Sequence, residues 1–163
     1  VKVELKGELT VYPCPVVLVT CADGEGKPNI ITLAWAGVAS ADPWTVALGI
    51  RPSRYSYDLI ARNEEFVVNV PTADLLRESD YCGVVSGKSI DKFAETGLTP
   101  TPAKVVTPPL IEECPVNLEC RLSQIVELGA HHLFLGEVVA RHVSQEALGP
   151  DGKPDIAKMN PPV

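Results

Sequence analysis

The chain contains no Cys-x-x-Cys pair. Its five cysteines, Cys14, Cys21, Cys82, Cys114 and Cys120, are separated by six, sixty, thirty-one and five residues. Those spacings match no common zinc arrangement, and the odd number argues against a complete disulfide framework. The expectation is reduced, partly buried thiols that pack as small hydrophobes, with no metal site. Cys82, beside Tyr81 and Gly83 in a polar stretch, is expected to be the most reachable. Long hydrophobic runs are also missing: 30–41 and 45–50 are too short and too interrupted to span a bilayer. The first six residues alternate apolar and charged side chains as a strand does, and hold no signal-peptide core. A soluble, cytoplasmic protein is therefore expected, with no membrane partner. Positive charge is scarce: 14 Lys+Arg against 21 Asp+Glu leave a formal charge of −7. That balance removes the broad basic face that nucleic-acid binding needs.

What is present describes a globular domain. The 163 residues are 45% hydrophobic and 21% charged, close to the soluble average and enough for one core. Residues 1–163 read as a single domain, with 148–163 a polar, Pro/Gly-rich tail or an arm over a partner subunit. Strand signals dominate. An apolar β-branched run at 16–21 meets a turn at 22–28, and 29–40 carries two apolar or small half-faces, as a strand covered on both sides does. Asp42-Pro43 turns the chain into another strand at 44–50, so three strands in a meander are expected. Strands at 65–70, 116–128 and 131–144 complete the β signal, the last two joined by Gly129-Ala130. Short helices are expected near 53, over 72–78 and over 91–96, with 81–89 irregular and 99–109 extended. This is a mostly β chain with helical inserts, which points to a β-barrel. No G-x-G-x-x-G follows a strand, which argues against a Rossmann domain, and Ser86-Gly87-Lys88 lacks the context of a Walker A loop.

The most informative stretch is Arg-Pro-Ser-Arg-Tyr-Ser-Tyr-Asp-Leu-Ile at 51–60. It puts Arg51, Ser53, Arg54 and Ser56 where an apolar strand gives way to a helix, with Ser53 the expected N-cap. A helix N-terminus exposes unpaired N–H groups, so guanidinium and hydroxyl groups there suit a phosphate. The alternative is a solvated helix start with two surface arginines.

Eight pieces of sequence then fall in a telling order. They are Pro-Val-Val-Leu-Val-Thr (15–20), Asn29 with Thr32, Ala34 and Trp35, Ala-Asp-Pro (41–43), and Arg-Pro-Ser-Arg-Tyr-Ser (51–56). Glu-Phe-Val-Val-Asn-Val-Pro (65–71), Ser-Gly-Lys-Ser-Ile-Asp-Lys-Phe (86–93), Leu-Glu-Cys (118–120) and Gly-Ala-His-His-Leu-Phe-Leu-Gly-Glu-Val (129–138) follow. In that order they resemble the flavin reductase-like family, whose members bind FMN on a split β-barrel. The flavoredoxin and archaeal ferric-reductase-like branch is the most similar.

The resemblance implies an FMN oxidoreductase. It would take a hydride from NADH or NADPH and pass electrons to free flavin, a ferric chelate or a protein. It implies that Asn29, Thr32, Ala34 and Trp35 lie on the strand that lines the flavin. Ser53, Arg54 and Ser56 would surround the phosphate, with Arg51 close by, and Ser86, Lys88 and Lys92 would approach the phosphate or ribityl chain. His131 would lie at the exposed flavin face where a nicotinamide stacks, and His132 would point to the opposite barrel face. A homodimer is also implied. Ala130 replaces the aspartate of the family's Gly-Asp-His pattern, which favours a second reading: a flavoredoxin-type electron carrier that does not use NAD(P)H. A third is a non-enzymatic ligand-binding module on the same fold.

Overall fold

The computed structural model describes residues 1–163 except 5 and 8–10. Seven strands form one antiparallel sheet: β1 (Val17–Ala22), β2 (Pro28–Leu33), β3 (Ala36–Ala41), β4 (Trp44–Ile50), β5 (Glu65–Val70), β8 (Val116–Leu128) and β9 (His131–Val143). Their order is β2-β1-β5-β8-β9-β4-β3. Between β5 and β8 the chain adds a two-stranded ribbon, β6 (Pro100–Thr101) with β7 (Leu110–Ile111).

The strand expected over 29–40 breaks at Ala34 and Trp35. Its first half pairs with β1 and its second half with β4. β2 and β3 are thus consecutive in the chain yet stand at opposite ends of the sheet, which makes the barrel split rather than closed. The Gly49 N–H donates to Trp35 O at 2.8 Å across the break. The expected burial on both faces holds for β2 and fails for β3, where Val38 is 70% exposed. Ala, Gly and Ser on β3 carry little apolar area, so leaving that end strand in water costs little.

Two apolar clusters flank the sheet. The interior one collects Val19, Leu48, Ile50, Phe66 and Phe134, plugged by Leu59 and Ile60 of α1 (Tyr55–Asn63). The outer one joins Leu18 and Ile30 to Cys82 of α2 (Leu76–Val84) and Phe93 of α3 (Lys92–Thr96). β1 is buried at all six positions because helices cover one face and the barrel interior the other. In β9, Gly136 leaves room for the Phe66 ring; a Cβ there would meet Phe66 Cζ at 2.2 Å.

Several local expectations are corrected. The helix near 53 begins at Tyr55, with Arg54 and not Ser53 in the N-cap position and no side-chain cap. The helix expected over 72–78 is a 3₁₀ turn at Ala73–Leu75 followed by α2, which extends through Tyr81–Val84, a stretch expected to be irregular. Cys82 therefore faces the outer cluster and is fully buried, not reachable. The alternating segment 1–6 forms no strand among its described residues; position 5 lies outside them. α3 does start on an Asp91 cap and stop at Gly97, whose φ is +72°. The 148–163 segment folds back on its own chain: after α4 (Ile156–Met159), Asn160 O accepts from Ala73 N–H and Pro162 O from Val16 N–H. No helix among the described residues is long and apolar enough to cross a membrane.

Candidate functional site

Three adjoining cavities run along the barrel mouth. The first, about 140 Å³, lies between the start of α1, the start of β2 and the 82–87 segment; Asn29, Ser53, Arg54, Ser56, Ser86 and Lys92 line it. The second, about 300 Å³, shares Ile31, Arg54 and Gly83 with the first and adds Thr32, Ala34, Trp35, Arg51 and His131. The third, about 510 Å³, shares Trp35, Gly49 and His131 with the second and adds His132 to a lining that is otherwise apolar or small. Among the described residues, no aspartate or glutamate lines any of the three.

Local sequence explains the first cavity. Ending β4 at Ile50 and starting α1 at Tyr55 leaves a turn in which Arg54 N–H donates to Arg51 O at 3.0 Å. That turn leaves Ser53 and Arg54 exposed at the helix N-terminus and buries Ser56 in the first turn. Asn29, itself buried, donates from Nδ2 to Ser56 Oγ at 2.8 Å. Gly87 closes the opposite wall: a Cβ there would meet Asn29 Oδ1 at 1.7 Å, so only glycine lets the loop approach. Lys92 is 4% exposed and donates from Nζ to Ile30 O and Cys82 O, each at 2.6 Å. Burial pulls its ammonium below the usual lysine value. These groups form a cationic, hydroxyl-rich recess that fits a phosphate monoester.

The second and third cavities meet at an aromatic junction. The Trp35 and His131 ring centroids lie 4.2 Å apart at 48°. Arg51 Nε donates to His131 Nε2 at 3.1 Å. Burial, then the Arg51 and Arg54 charges, hold His131 below its ordinary pKa, favouring the neutral ring that can accept this bond. His132 also lines the third cavity but is tied to Tyr57: its Nδ1 and the Tyr57 hydroxyl are 2.8 Å apart, and its ring meets Tyr57 edge-on. Thr32 is committed too, its hydroxyl donating to Ser79 O.

Eleven of the twelve expected site residues line this continuous cleft. Lys88 does not: it is exposed, and its backbone N–H donates to Ser86 Oγ at 3.3 Å. Sequence reasoning missed Ile31, which lines two of the cavities, and Gly49, Gly83 and Gly87, which shape the cleft by lacking a side chain. Gly87, next to two expected site residues, was the one with a readable signal.

Comparison with known proteins follows the same lines. The family model for the flavin reductase like domain matches residues 9–154. An uncharacterized protein of Archaeoglobus fulgidus is 41% identical over 145 residues, 89% of this chain and 80% of that one. Flavoredoxin of Desulfovibrio vulgaris (Miyazaki F) superposes with a TM-score of 0.93 at 36% identity, covering 99% of this chain and 86% of that one. A split-barrel protein of Shewanella frigidimarina shares the fold, with a TM-score of 0.83 at 21% identity over 91% and 76% of the two chains. A split barrel with this cleft, a match over most of its length and relatives of this similarity make the chain a member of the flavin reductase-like family.

Proposed function

We propose that this protein binds FMN and acts as an NAD(P)H-dependent oxidoreductase, passing electrons on to free flavin, a ferric chelate or a protein. The observation that carries the reading is the cleft: three joined cavities without a carboxylate among the described residues, ending in Arg54, Ser53, Ser56 and Lys92. An acidic protein that keeps one groove free of acids has a place for an anion. The recess suits the phosphate in size and donors, and the adjoining cavity beside Thr32, Ala34 and Trp35 suits a flat ring system. When bound, FMN supplies the hydride acceptance and electron relay that protein side chains lack.

The chain's own part is binding and positioning. Arg54 and the two serines would anchor the phosphate by charge-assisted hydrogen bonds. Trp35 and His131 would border the ring and leave the third cavity for a donor. Leu128, 53% exposed, lines that opening, and Val38 on the neighbouring end strand is 70% exposed, which supports a homodimer with the cleft near its interface.

The alternative is an electron carrier of the flavoredoxin type that never meets a nicotinamide. Ala130 on the wall of the third cavity and the likeness to flavoredoxin favour it. Anaerobic stopped-flow mixing of the FMN-loaded protein with NADH or NADPH separates the two. Bleaching of the flavin band within seconds supports the reductase; no bleaching with either, together with reduction by dithionite, moves the carrier to first place.

A further inference from the structure

Lys92 is a buried basic group with no acid beside it. It lines the recess, yet only 4% of it is exposed. The first turn of α3 carries it under β2, where Nζ donates to Ile30 O and to Cys82 O, each at 2.6 Å. Both acceptors are uncharged backbone carbonyls. The ion pairs among the described residues are Arg121 with Glu65 and His142 with Glu119, so Lys92 belongs to neither. The titratable groups that act on it are the Cys82 thiol of α2, the Cys21 thiol of β1 and the Arg54 guanidinium ahead of α1. Burial pushes both thiols up to about 11, so neither is a negative partner at neutral pH, and Arg54 is a second positive charge. Glu78 of α2 bears on the Cys82 thiol. The acids of α3 and its cap, Glu95 and Asp91, are exposed, and Asp91 accepts from Ala94 N–H.

An ammonium held out of water without a counter-charge is expensive, and a buried lysine sheds its proton to avoid that cost. The hydrogen bonds fit the neutral form. An ammonium has three N–H donors and an amine two, and two are spent on carbonyls. A dianion in the recess reverses the balance, because it supplies the missing counter-charge and an acceptor for a third N–H.

We propose that the recess takes up a phosphate dianion together with one proton, which Lys92 Nζ receives from solvent, so that loading of the cleft is proton-linked. The inference rests on the phosphate reading of the recess and adds its regulation. The bond that forms is the third N–H of Lys92, and the phosphate keeps both negative charges. The complex then holds one proton more than the ligand-free protein. Affinity is therefore full at lower pH and falls as pH rises past the ligand-free value of Lys92. A flavin without a phosphate gains nothing from the proton.

The test is calorimetric titration of the apo-protein with FMN and, separately, with riboflavin, in phosphate-free buffers of different ionisation heat. It runs from about pH 7.5, where a phosphate monoester is a dianion, to about pH 9.5. FMN heat should depend on the buffer, with uptake approaching about one proton per flavin at the alkaline end. FMN affinity should fall there by up to roughly tenfold per pH unit, while riboflavin shows neither effect. Lys92→Met, which keeps an apolar stem, should bind FMN at least tenfold more weakly at the lower pH and take up no proton. The flavin comparison on the parent protein needs no variant, so it decides the matter even if Lys92→Met fails to fold. The proposal is overturned if FMN heat is the same in all buffers across the range, if riboflavin takes up the same proton, or if Lys92→Met takes it up as the parent does. If the two flavins bind equally at every pH, the phosphate reading itself fails, and that result is separate from the proton count.

Discussion

Asn29 and Ser56, on different elements of the fold, are joined by a hydrogen bond of 2.8 Å from Nδ2 to the serine hydroxyl. The bond ties the start of β2 to the first turn of α1, and both residues line the recess proposed for the phosphate. Gly87 lies directly against it, because a Cβ at that position would occupy the space of Asn29 Oδ1. Gly87→Ala should therefore push Asn29 off Ser56. The cost expected for such overpacking is roughly 1–3 kcal/mol of stability, with FMN affinity down at least tenfold. Calorimetric melting and flavin titration check it; a variant with parental affinity would remove the loop from the recess.

Arg54→Ala should weaken FMN binding about ten- to a hundredfold, the equivalent of one charge-assisted contact. Its guanidinium lines the recess and packs in no core cluster, so the melting temperature of the apo-protein should stay put. Full flavin occupancy after dialysis of the variant would make Arg54 a solvated side chain.

How much of this was readable before the fold was known differs by element. The hairpins around 22–28 and 42–43, the long β8–β9 pair and the cap-to-stop span of α3 carry their signals locally, in turn residues and alternation. The 51–56 motif likewise marked the strand-to-helix junction whose Ser53, Arg54 and Ser56 line one recess. What failed were properties set by distant parts of the chain. Cys82 looks exposed in its polar surroundings, but α2 turns it onto Leu18 and Ile30. Lys92 looks like its neighbour Lys88, yet the first turn of α3 drives it under β2 to cap two carbonyls while Lys88 stays in water. The break at Ala34 and Trp35 sends the two halves of one apolar stretch to opposite ends of the sheet, which no window of residues reports. The backbone of Gly83 and Gly87 has no side chain to announce it.

The loop before β7 is held by two carboxylates, Glu65, which accepts from Thr107 N–H at 2.8 Å, and the more deeply buried Glu119. Glu119 on β8 is fully buried and accepts from the N–H groups of Lys104 (2.9 Å), Val105 (2.6 Å) and Val106 (3.0 Å), with His142 Nε2 at 2.6 Å. Burial pushes its pKa up, but the Lys104 N–H, His142 and the Val105 and Val106 N–H groups together hold it below the usual carboxylate value. A depressed carboxylate contributes stability that is present above its unfolded pKa and lost as pH falls through the folded one. Glu119→Gln should thus cost on the order of 3 kcal/mol at neutral pH, and the gap to the parent should narrow as acid is added. A constant gap across the acid range, read from urea midpoints, would contradict the charged form.

No thiol should be needed for flavin reduction. Burial pushes Cys21 and Cys82 up to about 11, and Cys114 and Cys120 up to about 12, so none is a thiolate at neutral pH. All four should resist iodoacetamide in the native state. Single alanine variants should reduce bound FMN at rates close to the parent, apart from some loss of stability. Loss of most of the rate in Cys82→Ala, with FMN still bound, would revive a thiol mechanism.

The central claim is that the acid-free cleft is a phosphate-anchored flavin site. Titration of the apo-protein with FMN and with riboflavin, followed by absorption or by quenching of flavin fluorescence, tests it most directly. Riboflavin offers the same ring and ribityl chain without the phosphate, so the difference isolates the recess formed by Ser53, Arg54, Ser56 and Lys92. With each charge-assisted contact contributing roughly 1.5–3 kcal/mol, FMN should bind at least a hundredfold more tightly. Equal affinities for the two flavins, or no binding of either, would contradict the account.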